Sequence, residues 1–205
     1  MRNIDAEGTP LGVYDSRLRG ASDADAAARF AAVVLLPHPA YEVMGVFRRS
    51  ALEEGILLKS FHGADRALLA ELSLRGLMIQ VREPLLNVRH HKERYTQSKV
   101  RARDRAVWHD TRLVGRISLP TWRLYAEYWS AVGRNLAPGP QRRRCYGHLV
   151  RWWWHNWNSA RMLVDLVSLM MPNAVIYAER LKHKFIAPRP GAGEGLSTNS
   201  SDVSK

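Results

Sequence analysis

Cysteine is almost missing from this chain, and acids are scarce. Among 205 residues Cys145 is the sole cysteine, so no internal disulfide forms and nothing argues for an oxidising compartment. Long apolar runs are also lacking. The best, around Met162–Met171, is short and carries Asp165, which excludes it as a membrane span. The opening MRNIDAEGTPLGVYD has no apolar core of the kind a secretory signal needs. There is no P-loop, no dinucleotide fingerprint, no zinc-ligand spacing and no Gly-x-Ser-x-Gly elbow, so the function classes those motifs carry have no support. Cys145 lies in a basic helical context with no evident partner base, a poor setting for a nucleophile.

What is present is a basic, moderately apolar chain. Hydrophobic residues make up 46%, enough to exclude wholesale disorder, and the length suits one domain, or one domain with an appendage. Lys and Arg number 31 against 19 Asp and Glu. All of that excess lies between Arg82 and Arg161, with 17 basic residues against 5 acids, while the rest balances at 14 against 14. A surface with so local a charge attracts anionic partners, whether nucleic acid, acidic lipid or a phosphorylated substrate.

The first 20 residues read as turn-rich extended chain, broken by Gly8, Pro10, Gly12 and Gly20. Ser22 is placed as an N-cap, with Asp25 completing a capping box, for a helix DADAAARFAAVVLL that stops at Pro37. Tyr41–Phe47 reads as a strand, Ser50–Glu54 as a helical turn and Ile56–Lys59 as a brief strand. Asp65 opens the best-defined helix, with Leu68, Leu69, Leu72 and Leu74 on a broad apolar face and Gly76 as its C-cap. Leu77–Val81 and Leu85–Val88 read as short strands around the Arg82-Glu83-Pro84 turn. Beyond Ser98 the pattern is helical. One helix carries Trp122, Tyr125, Tyr128, Trp129 and Val132, and after Pro138-Gly139-Pro140 another runs from about Arg142 to Met171. Pro172 ends it or precedes a last helical turn around Ala178–Lys184. The residues after Ala187 have the composition of a disordered tail.

Three short patterns point to chemistry. Gly45-Val46-Phe47-Arg48-Arg49 ends an apolar segment, Gly63-Ala64-Asp65 opens a helix, and Arg89-His90-His91 follows a Pro-led apolar run. Together Tyr41–Thr96 resembles the acceptor-side half of family 2 glycosyltransferases of the GT-A type. The resemblance implies an α/β fold: a partial GT-A-like mixed sheet with flanking helices over residues 1–97. A basic, Trp-rich helical extension follows over 98–186, and a tail over 187–205. It also implies transfer of a sugar from a nucleotide sugar to a hydroxyl acceptor, in cell-envelope or polysaccharide synthesis.

Within the resemblance, Asp65 matches the family's catalytic base, which accepts the acceptor hydroxyl's proton as that oxygen attacks the anomeric carbon. The common form of the motif has an acid where this chain has Ala64. Arg48 and Arg49 match the floor of the acceptor site. Arg89 and His91 match the closing motif near the diphosphate and its divalent metal, Mg²⁺ or Mn²⁺, with His91 the possible ligand. Ile4-Asp5-Ala6-Glu7-Gly8 looks like the segment after the metal-binding Asp-x-Asp strand. On that alignment the nucleotide-sugar half precedes Met1, and the chain is expected to be inactive without it. A cytoplasmic location, peripheral at the inner face of the membrane, accords with this reading.

Plainer roles stand beside each of these. Asp65 also suits a helix N-cap, the Arg48–Arg49 pair suits a strand end, and RHHKER suits a solvated loop. If Ser98–Arg116 is helical, Arg101, Arg105, His109, Arg112 and Arg116 line one face. That stripe, the Arg142–Arg144 run and the Trp cluster at 152–157 suit an ordinary core with a solvated flank. They suit an anionic membrane surface less well, and single-stranded nucleic acid less well again. A non-catalytic basic module acting through residues 98–161 is the alternative function.

Overall fold

Backbone groups within the first 14 residues pair across a hairpin. In the computed structural model, which describes residues 1–53, 55, 57–91, 110–111 and 119–170, β1 (Arg2–Ile4) and β2 (Pro10–Val13) form an antiparallel hairpin. Its turn is held by the Asp5 carboxylate, which accepts from the Thr9 amide at 2.6 Å. Gly8 adopts φ 100° there, a conformation glycine reaches without a Cβ penalty. Pro10 opens its strand, where no ladder donor is needed. β3 (Asn87–Arg89) joins β1 in parallel, so the sheet order is β2-β1-β3. Ile4 and Val88 are the buried side chains of this small mixed sheet.

Six α-helices accompany the sheet among the described residues. Helix α1 (Ala26–Leu35) is capped by Asp25, whose side chain accepts from the Ala27 amide at 3.2 Å. Ser22 is therefore not the cap: it lies within a turn closed by the Asp23 amide on the Gly20 carbonyl. The helix ends before Pro37, whose ring disfavours helical geometry in the preceding residue. The short α2 (Arg49–Glu53) is exposed and carries an i,i+4 pair between Arg49 and Glu53 at 2.6 Å. Such an exposed pair contributes little.

The centre of the fold is α3 (Ala64–Arg75), in which every residue from Ala67 to Leu74 is buried. It packs against α1 on one side and α4 (Pro120–Asn135) on the other. α5 (Pro140–Trp154) packs on α1 and α4, and α6 (Asn158–Met170) on α4 and α5. Pro120 and Pro140 each occupy the first helical position, where the missing amide costs no hydrogen bond. Phe30, Val33, Leu69, Tyr128, Val132, Leu149 and Met162 belong to one continuous core. Residues from both sides of position 97 thus share a single interior. Inside it, the Phe30 and Tyr128 rings meet edge to face at 6.4 Å, a favoured aromatic geometry. Cys145 is fully buried, and burial pushes its thiol up to about 11.

Three expectations are corrected. The 41–47 strand is instead a 3-10 turn, Tyr41–Met44, entered through Ala40 in left-handed geometry. No strand lies alongside, and the segment satisfies its amides locally: Val43 donates to Ala40 and Gly45 to Glu42. Residues 77–81 and 57–59 form no strand, and only the end of the 85–88 run does. The long helix from Arg142 is two helices. Asn156 and Trp157 take positive φ, and the break turns α6 back onto α4. There Asp165 accepts from the Thr121 amide at 2.8 Å, and the Trp122 indole donates to the Met162 carbonyl at 3.0 Å. The expected helix over 98–116, the turn at 178–184 and the tail lie outside the described residues, apart from Asp110 and Thr111. Among the described residues no helix is long and apolar enough to cross a membrane.

Candidate functional site

Gly63 starts α3 in left-handed geometry (φ 97°), and a side chain there would be strained. Two residues on, Asp65 sits half-buried in the first turn. It is not the N-cap. Its Oδ1 accepts from the Arg66 amide at 2.8 Å, and its Oδ2 has no hydrogen-bond partner among the described residues. The Arg66 guanidinium reaches back to the His38 carbonyl, tying the start of α3 to the loop after α1. α4 covers the same end. Leu124 lies over Gly63, Arg123 stacks on the Phe61 ring at 4.5 Å, and Glu127 pairs with Lys59 at 2.8 Å. Behind them the Tyr128 phenol is buried, which pushes its pKa up. Asp65 is thus a carboxylate on a fixed element, with one oxygen anchored and one available.

The other sequence-derived residues are not gathered around it. Arg48 is exposed, and Arg49 is exposed and paired with Glu53. Arg89 donates to the Asp5 and Ala6 carbonyls, closing the hairpin turn. His90, not His91, is half-buried: its Nε2 lies 3.1 Å from Asn3 Oδ1 and its amide donates to Ile4. His91 is exposed. No hydrogen bond or ion pair among the described residues joins Asp65 to Arg48, Arg49, Arg89 or His91. Nor do the described residues contain a group of three His, Cys, Asp or Glu placed to hold a metal ion.

A polar cluster that the sequence did not announce lies beside this end of α3. His38 is buried. Its Nε2 faces the Val33 carbonyl at 3.0 Å and its Nδ1 faces the Ala40 amide at 3.1 Å. A carbonyl only accepts and an amide only donates, so the ring is the neutral Nε2–H tautomer. Glu42 accepts from Ser16 at 2.6 Å and from Tyr14 at 3.2 Å through Oε1. Its Oε2 makes no hydrogen bond and lies 3.7 Å from His38 Nδ1. Burial pushes the Glu42 carboxyl up, but hydrogen bonding outweighs it and holds the group below its ordinary 4.5. The Ser16 hydroxyl donates to it, whereas Nδ1 of this His38 tautomer has no proton to give. Burial and the Glu42 charge raise the Tyr14 phenol to about 12.

Glu42 therefore stabilises the fold as the anion. That contribution is complete above 4.5 and is lost as pH falls below it, through the lowered folded value. The stability difference between the parent and Glu42→Gln, read from urea midpoints across pH, is expected to be constant at neutral pH and to shrink below 4.5. A pH-independent difference would mean that the carboxylate's charge is not what matters.

A second buried carboxylate, Glu71, holds α3 to α4. Its oxygens receive Arg75 and Arg134 at 3.0 Å each and Asn135 at 3.3 Å. The signal was legible as the lone acid within the apolar run Leu68–Leu74. Its role is structural, since both oxygens are engaged. No protein-family model, curated protein or solved structure matches the chain.

Proposed function

We propose that this chain supplies the acceptor side of a sugar-transfer site of the family 2 glycosyltransferase type, with Asp65 as the base. The observation that carries the reading is the Asp65 carboxylate, half-buried at a glycine-led helix start, with Oδ2 available. In the step envisaged, the acceptor hydroxyl gives its proton to Asp65 as its oxygen bonds to the anomeric carbon. The bond from that carbon to the diphosphate oxygen breaks, and the nucleoside diphosphate leaves with the electron pair. The Arg89 guanidinium and the His91 imidazole, as a hydrogen-bond donor, stand nearest in sequence pattern to a diphosphate role, and Arg48 and Arg49 would line the acceptor side.

A Mg²⁺ or Mn²⁺ ion would neutralise the diphosphate in such an enzyme. His91 alone does not fit that ion, which takes oxygen ligands, and no step is assigned to it. A nucleotide-binding segment, in the same polypeptide or another, is part of this reading. Leu77, Ile79, Val81 and Leu85 are exposed, and β2 and β3 each have one unpaired edge among the described residues. These offer surface for it. The proposed location is cytoplasmic, at the inner face of the membrane.

Calorimetry of the purified chain with UDP-, GDP- and dTDP-sugars, with Mg²⁺ or Mn²⁺ present, tests the donor side. No saturable binding by the chain alone is the expected result; saturable binding to one nucleotide, lost in Arg89→Ala or His91→Ala, would show that a donor site lies within these residues and would overturn the need for a separate nucleotide-binding segment. Binding that ignores both substitutions would sink their assignment.

A second reading, a non-catalytic module for an anionic partner, is favoured by one observation. Residues 119–170 carry seven arginines against only Glu127 and Asp165, and both acids are engaged internally.

A further inference from the structure

α6 is turned inside out. Among its described side chains the buried ones are Asn158, Met162 and Asp165, two polar and one apolar. The opposite arc carries Leu163, Val164, Leu166, Val167 and Met170, all exposed, Met170 by 80%. At 100° per residue these span one continuous apolar sector. An ordinary surface helix has the reverse arrangement.

Two indoles adjoin the N-terminal end of this sector. Trp154 ends α5 and is 79% exposed; Trp157 lies in the break before α6 and is 81% exposed. Trp157 holds φ 58° and Asn156 φ 51°, a left-handed geometry unusual for a bulky side chain and maintained only where the surroundings enforce it. Arg151 and Arg161 are exposed on either side of the break. Exposed indole, aliphatic side chains and arginine in one patch match the three layers of a bilayer surface: headgroup boundary, acyl chains and anionic phosphate.

We propose that the α5–α6 corner docks on an anionic lipid surface, with the outer face of α6 lying in the interface plane and Trp154 and Trp157 at headgroup depth. The proposal rests on the second reading above and gives it a partner. Charge selects this occupant. A second copy of the chain would bring Arg151 and Arg161 against their own kind, while Glu127 and Asp165 are already engaged and offer no counter-charge. Nucleic acid would meet the arginines and indoles but would leave the aliphatic sector unsatisfied, because bases stack on rings and not on Leu or Val.

Flotation of the full chain with vesicles of phosphatidylcholine alone, or with about a third phosphatidylglycerol, reads this directly. Binding is expected only to the anionic vesicles, to weaken with salt, and to fall about tenfold or more in Leu163→Ser/Val167→Ser and in Trp154→Ser/Trp157→Ser. All four side chains are exposed, so circular dichroism of these variants should match the parent. Asp65→Asn should float as the parent does.

Binding to anionic vesicles that survives both double substitutions overturns the α6 assignment and leaves the basic-module reading standing. Failure to bind either anionic vesicles or an oligonucleotide overturns both. A dimer in sedimentation analysis that the Leu163→Ser/Val167→Ser change dissociates also overturns the proposal, since the face would then be covered by a second copy.

Discussion

Replacing Glu71 by alanine is expected to destabilise the fold by about 3–5 kcal/mol, the range for stripping one partner from a buried ion pair. Against a typical total of about 5–15 kcal/mol, that is enough to leave a large unfolded fraction. The side chain is 1% exposed and lies between two helices. Arg75 reaches one oxygen from one turn later on α3, and is itself only 15% exposed. Arg134 and Asn135 reach across from the last turn of α4. Without the carboxylate, the Arg75 charge remains in a place where water cannot fully replace its partner. Arg134 is more exposed, so Arg134→Ala should cost much less. Glu71→Gln keeps one acceptor and should fall between. Urea midpoints for the three variants and the Glu71→Ala/Arg134→Ala pair give the coupling directly. A loss below about 1 kcal/mol for Glu71→Ala would show the network to be dispensable.

On the proposed reading, Asp65→Asn is expected to behave in the opposite way: about 10²–10⁴-fold slower sugar transfer once the nucleotide-binding segment is supplied, and an almost unchanged unfolding midpoint. Asparagine keeps an oxygen for the Arg66 amide. A carboxylate in a first helical turn contributes only about 0.3–1 kcal/mol through the helix dipole. The decoupling is the diagnostic. An N-terminal carboxylate that merely supports α3 would lose a little stability and no turnover. A base would lose turnover and almost no stability. Equal turnover in the parent and Asp65→Asn removes Asp65 from the chemistry.

Local signals in the chain were legible because their causes are local. Pro37 halts α1, Gly76 closes α3 by donating to the Leu72 carbonyl, and Pro120 and Pro140 mark helix starts. The Leu68–Leu74 run announced a buried helix. The N-cap of α1 was misread by three residues because Ser22 and Asp25 are chemically equivalent caps, and the choice depends on where Arg29 is anchored. That buried guanidinium binds the Asp23, Ala24 and Ser73 carbonyls, which holds residues 23–24 outside the helix.

The strand expected at Tyr41–Phe47 failed for a related reason. An apolar run becomes a strand only if another strand is there to pair with it, and here Glu42 is drawn in by Ser16 and Tyr14 instead. The candidate site was legible only as separate motifs. Asp65 lies where a helix start was expected, but nothing in the spacing said that Arg89 would close its own hairpin or that Arg49 would pair with Glu53.

By itself, then, the amino-acid order determined helix-forming segments, their breakers, the single unpaired cysteine and the concentration of positive charge after Arg82. These follow from backbone stereochemistry, side-chain periodicity and counting. The tertiary structure alone decided that residues on both sides of position 97 share one core, and that Glu71 is buried against Arg134 and Asn135, partners distant in sequence. It also decided that α6 turns Leu163, Val164, Leu166, Val167 and Met170 outward. Asp165 must return to the distant Thr121 amide and Asn158 to the nearby Trp152 carbonyl, and those bonds set the rotation of the helix. Which face a helix buries depends on where its polar residues find partners, and that is a property of the assembled fold.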